Sequence, residues 1–276
     1  MTKLLLRTAA TFAAMVALAM PARATTYSID YTDLWFNATE SGWGVNFIQQ
    51  DDVIFATLFV YGVGNVAQWF TASDMEPSPA GSRNTFTGQL YLTSGPYFGA
   101  GSFDPRNVTR TPVGTMTVTF TSPTTGTLQY SVNGATVTKQ ITRQTWRNDN
   151  LTGNYLGGLT ATGSSCSQVP NGPILIFGSL ATSHNGGQVS MTVDFTSNQG
   201  QASQCAFTGN YAQDGRLGSV AGNWSCTING QASNAGNFTL SGIEAGVNGF
   251  NGHFSGRDQF CTYDGFFGGL RDVPLS

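Results

Sequence analysis

The chain has 276 residues, 10% of them charged and 12% aromatic, with 12 Lys+Arg against 15 Asp+Glu and a formal net charge of −3. That balance offers no electrostatic basis for binding nucleic acid, and 40% hydrophobic residues, dispersed along the chain, are too few for a helical membrane protein. Abundant aromatic and β-branched residues argue against global disorder, and the length suits one large domain or two smaller ones.

The chain opens with the charges of Lys3 and Arg7, an apolar run from Ala9 to Met20, and the small-x-small pattern Pro21-Ala22-Arg23-Ala24. This predicts a secretory signal peptide over residues 1–24, cleaved after Ala24. The apolar run is short for a membrane span. Cleavage removes three of the 12 basic residues (Lys3, Arg7, Arg23) and none of the 15 acidic ones, so the exported chain is more acidic. Its cysteines are then expected to meet an oxidising compartment.

After Ala24 no stretch keeps apolar residues at helical spacing for three turns. Short alternating runs recur instead, bounded by Gly, Asn, Asp and Pro, and predict an all-β protein. Asp51-Asp52 joins two such runs and sets Ala56 opposite Phe47. With a second hairpin centred at Val63-Gly64, Trp43, Val45, Phe47, Ile54, Ala56, Leu58, Val60, Ala67 and Trp69 share one apolar face, expected to be interior. The opposite face mixes Asn46, Thr57 and Gln68 with Phe55, Phe59, Tyr61 and Phe70. These four aromatics are expected to pack on the second domain or a second copy, or to stack on a glycan or surface partner.

Asn133-Gly134 is a strong hairpin signal, setting Val132 opposite Ala135 and Tyr130 opposite Val137. On that stripe Leu128, Tyr130 and Ile141 share a face with Lys139 and Arg143. Two cations on an interior face need an anion, water or a barrel mouth. Two readings stand side by side: salt bridges to Glu40 or Asp33, or a small apolar/anionic ligand held by Lys139 and Arg143 in a lumen lined by Trp43, Trp69 and Tyr130.

The polar link Arg147–Asn150 divides the chain into an N-terminal domain over 25–147 and a C-terminal, Gly-rich domain over 148–276. Of the 35 Gly, 23 follow residue 150, as do all four Cys and both His. Counting runs gives about eight strands in each half, and two consecutive antiparallel meander barrels would remove the exposed edges. A hairpin at Asp214-Gly215, centred between Gly215 and Arg216, makes Cys205 and Cys226 equidistant from its centre. Directly opposed residues lie within disulfide range. Cys166 and Cys261 then pair by elimination, from the first and last strand regions, which meet when a meander closes. No CxxC or Cys/His cluster suggests zinc, and no cofactor motif is present.

The run from Asp33 to Asn46, DLWFNATESGWGVN, with Phe55–Tyr61, Gln68-Trp69 and Thr138–Gln144, resembles the motif of an uncharacterised family of exported proteobacterial proteins. The resemblance covers residues 27–146, with Ala38 where Pro is usual and Asp51-Asp52 in place of a Gln-Gly-Asp-like turn. It implies a β domain in the periplasm or secreted from a Gram-negative bacterium and carries no mechanism. The second half is similar in style to avidin-like or lipocalin-like barrels, which is analogy only.

No nucleophile elbow, P-loop or H-E-x-x-H occurs. Ser41 beside Glu40 lies among Gly42 and Gly44, which fit close backbone packing. The expectation is therefore a non-catalytic exported protein binding a small ligand, glycan or surface partner. The alternatives are a secreted hydrolase using the His253/Asp258 region and an outer-membrane barrel of sixteen strands. Edman sequencing of the exported protein is expected to start at Thr25; a chain retaining Met1–Ala24 would refute the cleavage.

Overall fold

A computed structural model describes residues 29–99 and 101–272; the predicted signal peptide lies outside the described residues. The first barrel contains β1 (Asp33–Phe36), β2 (Gly44–Gln50), β3 (Val53–Tyr61), β4 (Ala67–Pro77), β5 (Thr85–Ser94), β6 (Thr109–Phe120), β7 (Thr125–Val132) and β8 (Ala135–Arg143). The second contains β9 (Gly153–Ser164), β10 (Gly172–Asn185), β11 (Gln188–Thr196), β12 (Ala202–Asp214), β13 (Leu217–Ile228), β14 (Gln231–Gly246), β15 (Gly249–Arg257) and β16 (Thr262–Arg271). Each set is a closed antiparallel meander, with neighbours in sequence paired around the ring. The single sixteen-stranded barrel is thereby replaced by two consecutive barrels of eight.

Turn chemistry sets the registers. Asn133 and Gly134 both take positive φ (48° and 87°), the backbone that a two-residue hairpin requires. Val132 accordingly faces Ala135 and Tyr130 faces Val137. Asp51, at φ 57°, turns β2 into β3 with Phe47 opposite Ala56. In the second barrel Cys205 faces Cys226, Phe207 faces Trp224 and Tyr211 faces Val220.

The connection from β3 to β4 departs from expectation. It runs through a 3-10 turn, Val63–Asn65, with Gly64 at φ 76° and Asn65 at φ 61°, and Tyr61 pairs with Ala67. Five residues, an odd number, separate the strands. The register is thereby shifted by one residue from a hairpin centred at Val63-Gly64, which turns the β4 side chains to the opposite faces as far as Ala72; a bulge then brings Met75 inside. Phe70 is therefore inside, 3% exposed, while Trp69 stands outside opposite Phe59 at 51% exposure. Ala67 is also exposed.

The two closures differ. β9 and β16 share ten register pairs, Ser164↔Thr262 to Tyr155↔Arg271, and the Cys166–Cys261 disulfide joins the segments just beyond them. β1 and β8 share two, Trp35↔Arg143 and Phe36↔Thr142. Arg143 supports that short seam with a fully buried side chain. It donates from Nε to Pro123 O (2.7 Å), from Nη1 to Thr32 O and Asp33 Oδ2 (both 3.1 Å), and from Nη2 to Asp30 O (2.6 Å). Its guanidinium also lies 4.9 Å from the centre of the Trp35 ring.

The same carboxylate anchors the second barrel. The β12–β13 hairpin tip reaches the first barrel, where the Arg216 N–H donates to Asp33 Oδ2 (3.1 Å) and the Gly215 N–H donates to Thr145 Oγ1 (2.8 Å). Arg216 also pairs with Asp30 at 2.6 Å. Gly215 has φ 61°, and a Cβ there would lie 2.5 Å from Asp33 Oδ2, so only glycine seats this tip. A second disulfide links Cys205 and Cys226. Two disulfides with no free cysteine among the described residues are compatible with an oxidising, exported location.

Arg143→Leu is expected to destabilise the first barrel by about 3–5 kcal/mol, because it strands a partly buried Asp33 carboxylate. Guanidinium unfolding followed by tryptophan fluorescence measures this. Lys139→Leu, at an open pair, is expected to shift the midpoint little; equal effects would show that the seam does not depend on Arg143.

Candidate functional site

The sequence places its candidate ligand between Lys139 and Arg143 in the first barrel. Both cations do lie on the inward stripe of β8, Lys139 at its middle and Arg143 at its last residue, each beside a carboxylate. Arg143 is held by Asp33 as described. Lys139 Nζ lies 2.7 Å from Glu40 Oε2, which also accepts the Trp43 indole N–H at 3.1 Å. The Lys139 ammonium sits 5.9 Å from the centre of the Trp43 ring. Its ammonium and the indole N–H hold the Glu40 carboxyl below its ordinary pKa. Tyr130 is half-buried nearby, its phenol pushed up by burial.

The interior of the first barrel is packed with large side chains. Trp35, Phe47, Leu58, Phe86, Met116 and Phe120 are fully or almost fully buried there. Tyr31, from the segment before β1, stacks on Phe120 at 3.6 Å between ring centres. Trp43, Tyr130 and Lys139 therefore cluster at one mouth, Arg143 closes the other end, and Trp69 is on the outside. This geometry does not assemble those five residues around a ligand.

The outer aromatics Phe55, Phe59 and Tyr61 are exposed by 38%, 47% and 62%, with Trp69 beside them in place of Phe70. The polar contacts between barrels run through Asp30, Asp33, Thr145, Arg147, Gln213, Gly215 and Arg216, not through that stripe.

The hydrolase alternative required His253 to work with Asp258. His253 instead pairs on the outer face with Asp264, Nε2 lying 3.2 Å from Oδ2, and both groups are exposed. Asp258 accepts the Tyr263 hydroxyl at 2.6 Å, the N–H groups of Phe260 and Cys261 at 2.7 Å each, and the Asn234 amide.

Empty space is found in the second barrel. A cavity of about 210 Å³ occupies the end away from the first barrel, near the β11–β12 and β13–β14 connections. Leu159, Ile176, Phe207, Trp224 and Phe254 form its apolar wall, with the Cys205–Cys226 disulfide in it. The Trp224 indole N–H has no hydrogen-bond partner, and its nitrogen lies over Gly236, where a Cβ would come within 2.9 Å. Ser197, Ser203, Thr227, Ser233 and Asn234 supply polar atoms. Ile174, Phe195, Asn234 and Tyr263 are only half-buried and Ser233 is exposed, so the space opens to solvent at this end.

The reason for the space is legible in β9 and β15. The inward residues of β15 run Phe250, Gly252, Phe254, Gly256, and those of β9 run Tyr155, Gly157, Leu159, Ala161, Gly163. The last inward residues toward the cavity end are small: Gly256 in β15, and Ala161 and Gly163 in β9. Of the lining residues, Phe207 packs edge-on against Phe254 and Phe267, and Phe267 in turn contacts Phe250 in the core. This inward glycine pattern was the available sequence signal; the glycine excess alone does not reveal which face it occupies.

The electrostatics of the rim follow from Asp258. Burial raises its pKa, but the hydrogen bonds from Tyr263, Cys261, Phe260 and Asn234 outweigh this and leave it below the ordinary value. Tyr263 is pushed up to about 12, by burial first and then by donating to Asp258. Near neutral pH the pair is a phenol donating to a carboxylate.

Two closed eight-stranded antiparallel barrels, one filled and one hollow at its far end, define the class of protein by architecture. No protein-family model matches the chain. No curated protein matches it in sequence. The likeness of residues 27–146 to an exported family thus rests on the quoted motif.

Because its folded pKa is lowered, Asp258 contributes stability above its unfolded value, near 4, that is lost as pH falls through the folded value. Asp258→Asn is expected to lower the melting temperature at pH 7, and the difference from wild type should close below about pH 4. A gap that persists unchanged at pH 2 would show that the Asp258 charge is not the source.

Proposed function

We propose that this is an exported, non-catalytic binding protein that holds a small apolar molecule in the open end of its second barrel. The observation that carries the reading is the cavity of about 210 Å³, walled by aliphatic and aromatic side chains and open to solvent. A dry apolar cavity of roughly 150 Å³ accommodates benzene; this one has room for a bicyclic hydrocarbon of about nine carbons by the same scale. Eight-stranded barrels are wide enough to enclose one such ligand.

Further support comes from rigidity. One disulfide is part of the wall, and the other joins the segments just beyond the β9–β16 seam at the same end of the barrel. A preformed pocket loses little ordering entropy on binding. The cavity lining is made of aliphatic, aromatic, hydroxyl and amide side chains and a disulfide, which suits a small, mainly apolar molecule. The predicted signal peptide and the disulfides together support a periplasmic or secreted site of action.

Trp224 is the only tryptophan after residue 150 and forms part of the wall, so it reports on occupancy. Titration with indane is expected to change its fluorescence saturably. Ser203→Leu, which fills the space from β12, should abolish the response without lowering the melting temperature. A wild-type protein that does not respond, or a Ser203→Leu protein that binds indane equally well, would overturn the proposal.

A further inference from the structure

The polar atoms at the cavity identify the kind of molecule it accepts, an inference that rests on the binding reading above. The lining residues include no Lys, Arg or His. A bound anion would leave water with no counter-charge in the wall, which is strongly unfavourable. It would also face a fixed negative charge, since Asn234 and Tyr263, both in the lining, donate their side-chain hydrogens to Asp258. A bound cation fares little better. The Asp258 carboxylate stands behind those two side chains and is already occupied by four donors, two of them backbone N–H groups.

What remains is neutral hydrogen-bonding capacity. Ser197 Oγ accepts the N–H groups of Gln199 (3.3 Å) and Gln201 (3.2 Å), which directs its own proton elsewhere. Ser203 donates to Gln201 O at 3.2 Å and keeps lone pairs to offer. Thr227 and Ser233 add hydroxyls on the β13–β14 side. These groups suit a ligand with one neutral polar atom at the rim and an apolar body inside.

We infer that the cavity selects an uncharged amphiphile: an apolar body of roughly eight to ten non-hydrogen atoms bearing a carbonyl, ether or hydroxyl, and that it excludes the corresponding carboxylate. The first barrel plays no part in this selection. The anionic ligand expected from Lys139 and Arg143 is thereby exchanged for a neutral one at a different site.

Three probes on one skeleton test it with the full exported protein: indane, 1-indanone and indane-1-carboxylate, titrated by calorimetry. At pH 7 the ketone is expected to bind at least tenfold more tightly than the carboxylate. On lowering the pH to about 4, where this probe begins to be protonated, its apparent affinity should rise at least tenfold while that of the ketone stays constant. In Asp258→Asn the gap between ketone and carboxylate at pH 7 should narrow. Carboxylate binding as tight as ketone binding at pH 7 would overturn the inference and leave the cavity reading standing. Failure of all three probes to bind would overturn both.

Discussion

A sheet rolled into a tube must join its first strand to its last, and everything else in this molecule depends on how those two joints are made. In the second barrel the joint is long, with ten register pairs and a disulfide across sequence positions 95 apart. In the chain-entropy description, closing a loop of that length contributes about 4–5 kcal/mol. In the first barrel the joint has two register pairs, and one buried guanidinium supplies the rest by donating to three backbone carbonyls and Asp33. Arginine suits this position because its planar fork serves several acceptors at once, which a lysine ammonium cannot do in the same directions.

The interiors diverge for a related reason. Both barrels have eight strands and hence similar space to fill. The first fills it with Trp35, Phe47, Phe86 and Phe120, stacked and edge-to-face, and with Tyr31 entering from outside the strands. The second packs phenylalanines at one end and presents Ala161, Gly163, Gly236 and Gly256 inward toward the other. The pocket lies at that second end, walled by Phe195, Trp224, Phe254 and Tyr263.

Much of this was legible in the sequence. Asn133-Gly134, Asp51-Asp52 and Asp214-Gly215 fix their hairpins locally, because two-residue loops leave no freedom in register. From the third of these the Cys205–Cys226 pairing follows, and from barrel closure the Cys166–Cys261 pairing. The inward placement of Lys139 and Arg143, and the two carboxylates that meet them, were equally readable. The β3–β4 connection was not, because Gly62–Val66 offers several loop lengths, and a difference of one residue exchanges Trp69 with Phe70. The cavity was missed for another reason. Two cations on an apolar stripe drew the ligand to the first barrel, whereas charge pairs close that barrel and the space lies where glycine and alanine replace phenylalanine.

The seating of the β12–β13 tip against Asp33 has a consequence for access. Contact with the first barrel is made at the Gly215 end of the second, while the opening lies at the end marked by Ser203 and Asn234 on the same pair of hairpins. The exposed aromatics of β3, on the first barrel, are thus remote from that opening. The contact between the barrels and the opening therefore stand at opposite poles of the second barrel.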